Sequence, residues 1–482
     1  MADMGGGGPA KNVVTSGPPY PTILKLAIPT VLAMVSQALV NTLDTVFVGK
    51  LENKVAAANG QAALLPSLVI LWAFGGSLSA ISVGTQALTA RRFAEKKDAD
   101  VGEVLFNSVA FSLIAGIVFT ALGFAILDPL LNAIISGDNV EGARSSAREY
   151  MHFRLFGIAS MSLTASFKAF FDGIGKTYVH FVSAVFMNIV NVSACYCFIF
   201  GKFGAPEMGM AGAGLGAIMS TWVGLLIMVA FAMLKSHRTV YRPFRLSNWN
   251  WPLLKQILKL SIPGGVATIA VMTGFVLFAK IAAKLDDSAE AAMVMDPHLG
   301  QLIPVSMAAT NNIVSVVHLT FTACLGFGTA AATLVSQCLG ERNPDRANKF
   351  GWSSVQLGLM VFGAIGALEF ILAPQILRLV TDVELVQHAA LTPMRMMAAV
   401  TPLIATAMIL TQALFGAGNT RFVMVIELIL HFGCLVPLAW VLGVTFKLGL
   451  TGLWSAAITY IVLLAIAMAV KFRAGGWKNI KI

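Results

Sequence analysis

Ile23-Leu24-Lys25-Leu26-Ala27-Ile28-Pro29 returns 234 residues later as Ile257-Leu258-Lys259-Leu260-Ser261-Ile262-Pro263. Three further landmarks return in the same order. Glu95-Lys96 matches Glu341-Arg342, Gly173-Ile174-Gly175-Lys176-Thr177 matches Gly416-Ala417-Gly418-Asn419-Thr420, and Gly209-Met210-Ala211-Gly212 matches Gly449-Leu450-Thr451-Gly452. The offsets stay between 234 and 246 residues. A unit of roughly 240 residues is therefore duplicated head to tail, and a repeat of that kind constrains the whole architecture.

What fills each unit is apolar sequence. Of 482 residues, 57% are hydrophobic and only 12% charged, about half the charge of a soluble domain. Mean hydropathy is +0.79. That composition excludes a soluble enzyme and also excludes disorder, which needs low hydrophobicity and high charge. Spanning a bilayer takes about 20 apolar residues in a helix. Twelve such spans are expected, at 22–48, 61–90, 104–127, 151–171, 179–200, 209–234, 257–280, 305–338, 351–373, 393–415, 421–443 and 449–471. The runs are continuous rather than alternating, so strands are not expected. The fold class is an all-α polytopic membrane protein. Six is even, so the two six-helix bundles have the same orientation and are related by an axis along the membrane normal.

The loops orient the chain. With the N-terminus in the cytoplasm, 22 Lys and Arg fall on the inner side and 11 on the outer, the bias expected of a multi-pass plasma (inner) membrane protein with both termini cytoplasmic. The expected parts are a flexible tail at 1–20, a bundle at 21–234, a basic cytoplasmic connector at 235–256, a second bundle at 257–471 and a short tail at 472–482. Tail 1–20 has no apolar core, unlike a signal peptide. The insertion from Lys284 to Pro304, with Asp286, Asp287, Glu290, Asp296 and His298, is expected as a solvated external loop. The five cysteines lie in or beside apolar spans, with no metal-site spacing. Gly175-Lys176-Thr177 ends like a phosphate-binding loop, but Phe170 stands where that loop needs glycine. No cofactor, metal or nucleic acid is expected, and the chain is expected to work as a monomer.

Acids inside a bilayer are costly and mark ion pathways. Gln37, Asn41 and Asp44 share one face of the first span by their i, i+4, i+7 spacing. Asn188 and Asn191 share a face of the fifth and supply further amide oxygens. Asp44 either exchanges a proton or joins these amides in holding sodium. In the second bundle, Glu427 and His431 lie one turn apart and form a candidate proton relay. Glu369 is an isolated acid to which no role is given. Met272, Met394, Met397 and Met408 are candidate substrate-lining residues, since flexible thioethers suit a site that accepts many shapes.

Pro29, followed by Asp44-Thr45-Val46-Phe47-Val48-Gly49, resembles the first helix of multidrug and toxic compound extrusion (MATE) transporters. So do Phe171-Asp172-Gly173-Ile174-Gly175-Lys176-Thr177, Leu414-Phe415-Gly416-Ala417-Gly418-Asn419-Thr420 and the run from Gly328 to Gly340. Gly201 to Gly209 is similar to the turn between the fifth and sixth helices in the NorM-like branch. The resemblance covers residues 21–471 and implies a V-shaped exporter of organic, amphipathic cations driven by a proton or sodium gradient. The chain departs from the family at points. Many relatives carry an acid where Cys195 stands, and the sodium-using branch has acids on the seventh and tenth helices, where 266–278 and 394–412 contain none. The acids missing from the second bundle favour protons and a first-bundle site, whereas Cys195 weakens the expectation of the family's paired-carboxylate site in the first bundle.

The main expectation is thus a proton- or sodium-coupled antiporter working by alternating access. Two rivals are a lipid-linked intermediate flippase of the same superfamily and a non-transporting receptor or channel. A flippase needs several cations in its cavity. The deep basic residues are only Arg154, Lys168 and His318.

Overall fold

The structure, a computed structural model, describes residues 14–51, 53–135, 141–287, 293–295, 302–381 and 383–482. It is built almost wholly of helices. These are α1 (Pro19–Gly49), α2 (Val55–Ala94), α3 (Asp98–Ile134), α4 (Glu141–Arg154), α5 (Gly157–Gly173), α6 (Tyr178–Phe200) and α7 (Gly209–Met233). Then come the short α8 (Lys235–Tyr241), α9 (Trp251–Asp287), α10 (Val305–Gly340), α11 (Pro344–Val380), α12 (Glu384–Gly416), α13 (Thr420–Thr445) and α14 (Gly449–Ala474).

Among the described residues, eleven helices are long and apolar enough to cross a membrane. The expected fourth span is the exception. It is two helices, α4 and α5, separated at Leu155–Phe156. The physical reason is polarity: α4 carries Arg144, Arg148, His152 and Arg154, which do not suit lipid, while α5 contributes only 17 residues.

The insertion also differs from expectation. Met293–Met295 (β1) and Leu302–Pro304 (β2) pair antiparallel, Met293 opposite Pro304. Asp286 is not solvated. It is buried, and its carboxylate accepts from the Ser306 N–H (2.8 Å) and the Met307 N–H (3.0 Å). It thereby caps the free N–H groups that open α10. Glu290, Asp296 and His298, and the side chain of Asp287, lie outside the described residues.

The duplication is visible in backbone detail. Lys96 and Arg342 both take left-handed conformations, at φ 60° and 58°, and Gly175 and Gly418 do so at 76° and 86°. A Cβ on Gly173 would meet Thr89 Cγ2 at 2.7 Å; one on Gly416 would meet the Ala332 carbonyl oxygen at 2.3 Å. Both glycines let one helix end press against the neighbour, the use of small residues that membrane packing favours.

By contacts the chain divides into two compact units. Unit 1 comprises 1–265, 333–347 and 482; unit 2 comprises 266–332 and 348–481. In unit 1, Val48, Phe74, Leu131, Met151, Ile199 and Met210 belong to one core cluster, and Leu105, Phe167, Phe170, Phe171 and Met228 to another. Lipid is as apolar as these side chains, so burial alone holds helices together weakly. Hydroxyl bonds add cohesion: Thr85 to Ser108 at 2.7 Å and Ser112 to Ser166 at 2.9 Å, both buried, and a half-buried bond from Ser160 to Thr221 at 2.9 Å. Unit 2 packs Phe278 edge-on to Trp454, with ring centroids 5.3 Å apart, and Phe327 to Phe362 at 5.9 Å.

Candidate functional site

In unit 1 the polar face of α1 turns toward α6. The Asn188 amide donates to Ser36 Oγ at 2.8 Å, and the Gln37 amide lies 3.8 Å from Met187 Sδ. One to two turns further, Asp44 is 8% exposed. Asn191 and Cys195 lie beside its carboxylate. The Cys195 thiol is 3.9 Å from Asn191 Oδ1 and 3.7 Å from the Ala213 carbonyl oxygen. Asn41 lies on α1, but its side chain is outside the described residues. Helical spacing thus brings Gln37, Asp44, Asn188 and Asn191 to one seam.

A third helix completes the surroundings. Arg154 is the last residue of α4. Its guanidinium sits 5.6 Å from the centroid of the Tyr150 ring. Asp44 Oδ1 and Arg154 Nε are both buried without a hydrogen-bond partner. The sequence placed Arg154 inside an apolar region but did not show that its guanidinium lies over Tyr150.

The other end of α5 holds a different buried acid. Asp172 is fully buried and bound to Lys168 Nζ at 2.7 Å. Its main-chain oxygen accepts from Thr333 Oγ1 (3.1 Å), which itself accepts from the Gln86 amide (2.9 Å). Asp172 appeared in the sequence only as part of a repeated glycine motif. Its i, i+4 spacing from Lys168 is the signal that reveals the pair.

Glu427 and His431 meet as their spacing predicts. His431 Nδ1 lies 3.3 Å from Glu427 Oε2 and 2.9 Å from the Glu427 main-chain oxygen. Facing two oxygens, Nδ1 carries the ring hydrogen, and Nε2 is buried without a partner. Tyr460 from α14 donates to Glu427 Oε2 at 2.9 Å, and its ring centroid is 4.5 Å from that of His431. Tyr460 escaped sequence reading. At His431 to Leu435 the helix widens into a π turn, a feature frequent at functional sites. Glu369, read as isolated, accepts from the Thr320 and Thr401 hydroxyls.

Met394, Met397 and Met408 are buried in unit 2, while Met272 is half exposed. A cavity of about 400 Å³ in unit 1 is lined instead by Arg148, Glu149, His152, Phe153, Phe156 and Ala211. Among the described residues no three His, Cys, Asp or Glu are grouped to hold a metal ion.

A family model described as MatE matches residues 29–197 and 291–441. The chain belongs to the MatE family. The match takes in Asp44, Arg154, Asn188 and Asn191, and also Glu427 and His431, while Tyr460 lies beyond it. Over 461 residues the chain is 28% identical to the "Probable multidrug resistance protein NorM" of Thermotoga maritima, covering 95% of this chain and 93% of that protein. It is 25% identical over 462 residues to the "Multidrug resistance protein MdtK" of Edwardsiella ictaluri, covering 94% of each. Among solved structures, a multidrug resistance MATE family transporter in an outward-facing conformation superposes with a TM-score of 0.83 at 19% identity, over 97% of this chain and 98% of that one. A MATE structure in a bent conformation gives 0.82 at 19%, covering 96% of each chain. The MatE fold, with its two six-helix halves, is thereby shared.

Proposed function

We propose that this MatE-family protein is a cation-coupled antiporter that exports organic, amphipathic cations by alternating access, exchanging protons at Asp44. The observation that carries the reading is a carboxylate withdrawn from bulk water in unit 1, with one oxygen unpartnered and no salt bridge among the described residues. Such a group is free to take up and release a cation. Gln37, Asn188 and Asn191, with Asn41, shape its polar seam. The relatives named as multidrug resistance proteins support the direction and breadth of transport.

Occupancy at Asp44 and occupancy by drug must oppose each other. Linkage makes this reciprocal: whatever a bound proton takes from drug affinity, bound drug takes from proton affinity. The bundles at 21–234 and 257–471 serve as the moving halves, in the plasma membrane with both termini cytoplasmic and the chain working as a monomer. Glu427 and His431 form a secondary proton-exchange pair, with Met272, Met394, Met397 and Met408 facing substrate in one of the alternating states. Against a flippase, Lys168 is already tied to Asp172 and is not left to hold an anionic headgroup.

The deciding experiment is Asp44→Asn in cells and in proteoliposomes. Drug efflux should vanish while membrane expression stays at the wild-type level. Undiminished efflux would remove Asp44 from the mechanism. Export driven by an imposed sodium gradient, and not by a proton gradient, would overturn the choice of ion.

A further inference from the structure

We propose that the segment joining the two bundles, residues 235–255, is a docking surface for anionic phospholipid headgroups of the membrane in which the protein sits. The inference is independent of the coupling ion and of the exported substrate.

Charge is one-sided in this part of the chain. No Asp or Glu occurs between Glu207 and Asp286, whereas Lys235, Arg238, Arg242, Arg245 and Lys255 all fall in that interval. All five are exposed, and among the described residues none of them is in an ion pair. An exposed basic cluster without an internal counter-charge draws its anions from outside. An acid does reach the segment from α3, where Glu103 accepts from the Asn250 amide at 3.5 Å.

Apolar surface accompanies the charge. Leu246 is 86% exposed, and Phe244, Trp249 and Trp251 are exposed as well. The two indole rings stack with centroids 6.3 Å apart, and Lys255 Nζ lies 5.5 Å from the Trp251 centroid. Exposed apolar side chains grouped with charge mark a surface that meets a membrane or a partner. The chain places this one at a membrane. α7 ends at Met233 and α9 begins at Trp251, and both are long and apolar enough to cross a bilayer. The residues between them therefore lie just outside the hydrocarbon. There an indole keeps its apolar body toward the acyl chains, and a lysine or arginine reaches for phosphate.

The surface is pre-formed. Asn107 of α3, fully buried, donates to the Asn248 carbonyl oxygen at 2.8 Å and accepts from the Asn250 N–H at 3.0 Å. The Asn248 amide in turn donates to the Arg242 carbonyl oxygen at 2.9 Å. A Cβ on Gly102 would overlap the Tyr241 carbonyl oxygen, so α3 runs flush against the segment. The arginines thus stand on a braced backbone, and little ordering is lost when phosphates bind. Each Lys or Arg near the surface adds affinity for anionic lipid. A zwitterionic headgroup brings its own cation and offsets that gain.

The test uses full-length protein in neutral detergent, titrated with dioctanoyl phosphatidylglycerol, with the phosphatidylcholine of the same chains, or with glycerol 3-phosphate. Melting temperature reads binding. Phosphatidylglycerol should raise it at concentrations where neither of the others does. Arg238→Gln, Arg242→Gln and Arg245→Gln together should weaken phosphatidylglycerol binding on the order of a hundredfold, about fivefold for each charge. Lys202→Gln, in the turn before α7, should leave binding unchanged; an equal loss there would show that net charge, and not this surface, governs the response. Salt at 1 M, where the screening length falls to about 3 Å, should abolish the preference in the wild type. Equal shifts with phosphatidylcholine would overturn the inference by removing the role of charge. A shift from glycerol 3-phosphate alone would replace the lipid surface with a soluble phosphate site, and a shift from short duplex DNA without one from phosphatidylglycerol would replace it with a nucleic-acid site. If the triple variant is not monodisperse, the salt titration decides: a preference for phosphatidylglycerol that survives high salt sinks the proposal.

Discussion

The Tyr460 hydroxyl donates a 2.9 Å hydrogen bond to Glu427 Oε2, while the Tyr460 ring lies 4.5 Å, centroid to centroid, from the His431 imidazole. One aromatic side chain therefore touches both members of the buried pair on α13. Gly274 of α9 closes the other side, since a Cβ there would come within 2.6 Å of His431 Cδ2. Three helices of unit 2 converge on a single polar point.

Tyr460→Phe isolates the hydroxyl, because the ring and its packing remain. Loss of the bond leaves Glu427 Oε2 with only His431, and the destabilisation should be about 1 kcal/mol, the scale of side-chain bonds between membrane helices. Thermal unfolding in detergent measures it. An unchanged transition would mean that the bond contributes nothing to the fold.

The duplicated glycines should fail alike. Gly173→Val and Gly416→Val both place branched side chains where even a Cβ has no room. Overpacking of this kind costs about 1–3 kcal/mol or more. Gly476→Ala, where nothing lies within 4 Å, should be neutral. Detergent-solubilised yield and melting temperature report the contrast. Tolerance at one glycine and collapse at the other would show that the two copies pack differently.

A pH dependence arises at the connector. His237 Nδ1 lies 2.7 Å from the Phe231 carbonyl oxygen, so Nε2 is left to accept from Lys176 Nζ at 2.7 Å. Burial pushes the His237 imidazole below its ordinary range, the Phe231 carbonyl opposes this, and the Lys176 charge adds to it. Burial also lowers the Lys176 ammonium. The stacked Tyr241 ring, held high by burial and then by Asp98, stays neutral. The folded state prefers neutral His237, whereas the unfolded chain takes up its proton near pH 6.5. The stabilising contribution is therefore complete above that value and is lost as pH falls through the lower, folded value. Melting temperature should drop below pH 6.5 in the wild type, with a shallower slope in His237→Asn. Equal slopes would exclude His237 as the cause.

Apolar run length, the repeat from Ile23 and Ile257 onward, and the helical spacing of Gln37 with Asp44 were all readable in the sequence, because each is a local or periodic property of the chain. The helical class, the duplicated halves and the face of α1 that carries Asp44 follow from them. The break between Arg154 and Gly157 was half legible: the charge of α4 was there, but an apolar window ran across it. Which residues meet was not legible, because contacts such as Asn188 with Ser36, Tyr460 with Glu427 and Asp286 with the start of α10 depend on helix rotation and depth. Those are fixed by packing summed over many side chains. Local pattern therefore determined which segments, the fourth apart, are long and apolar enough to cross a membrane and which acid is unusual; only the tertiary structure decided what surrounds that acid.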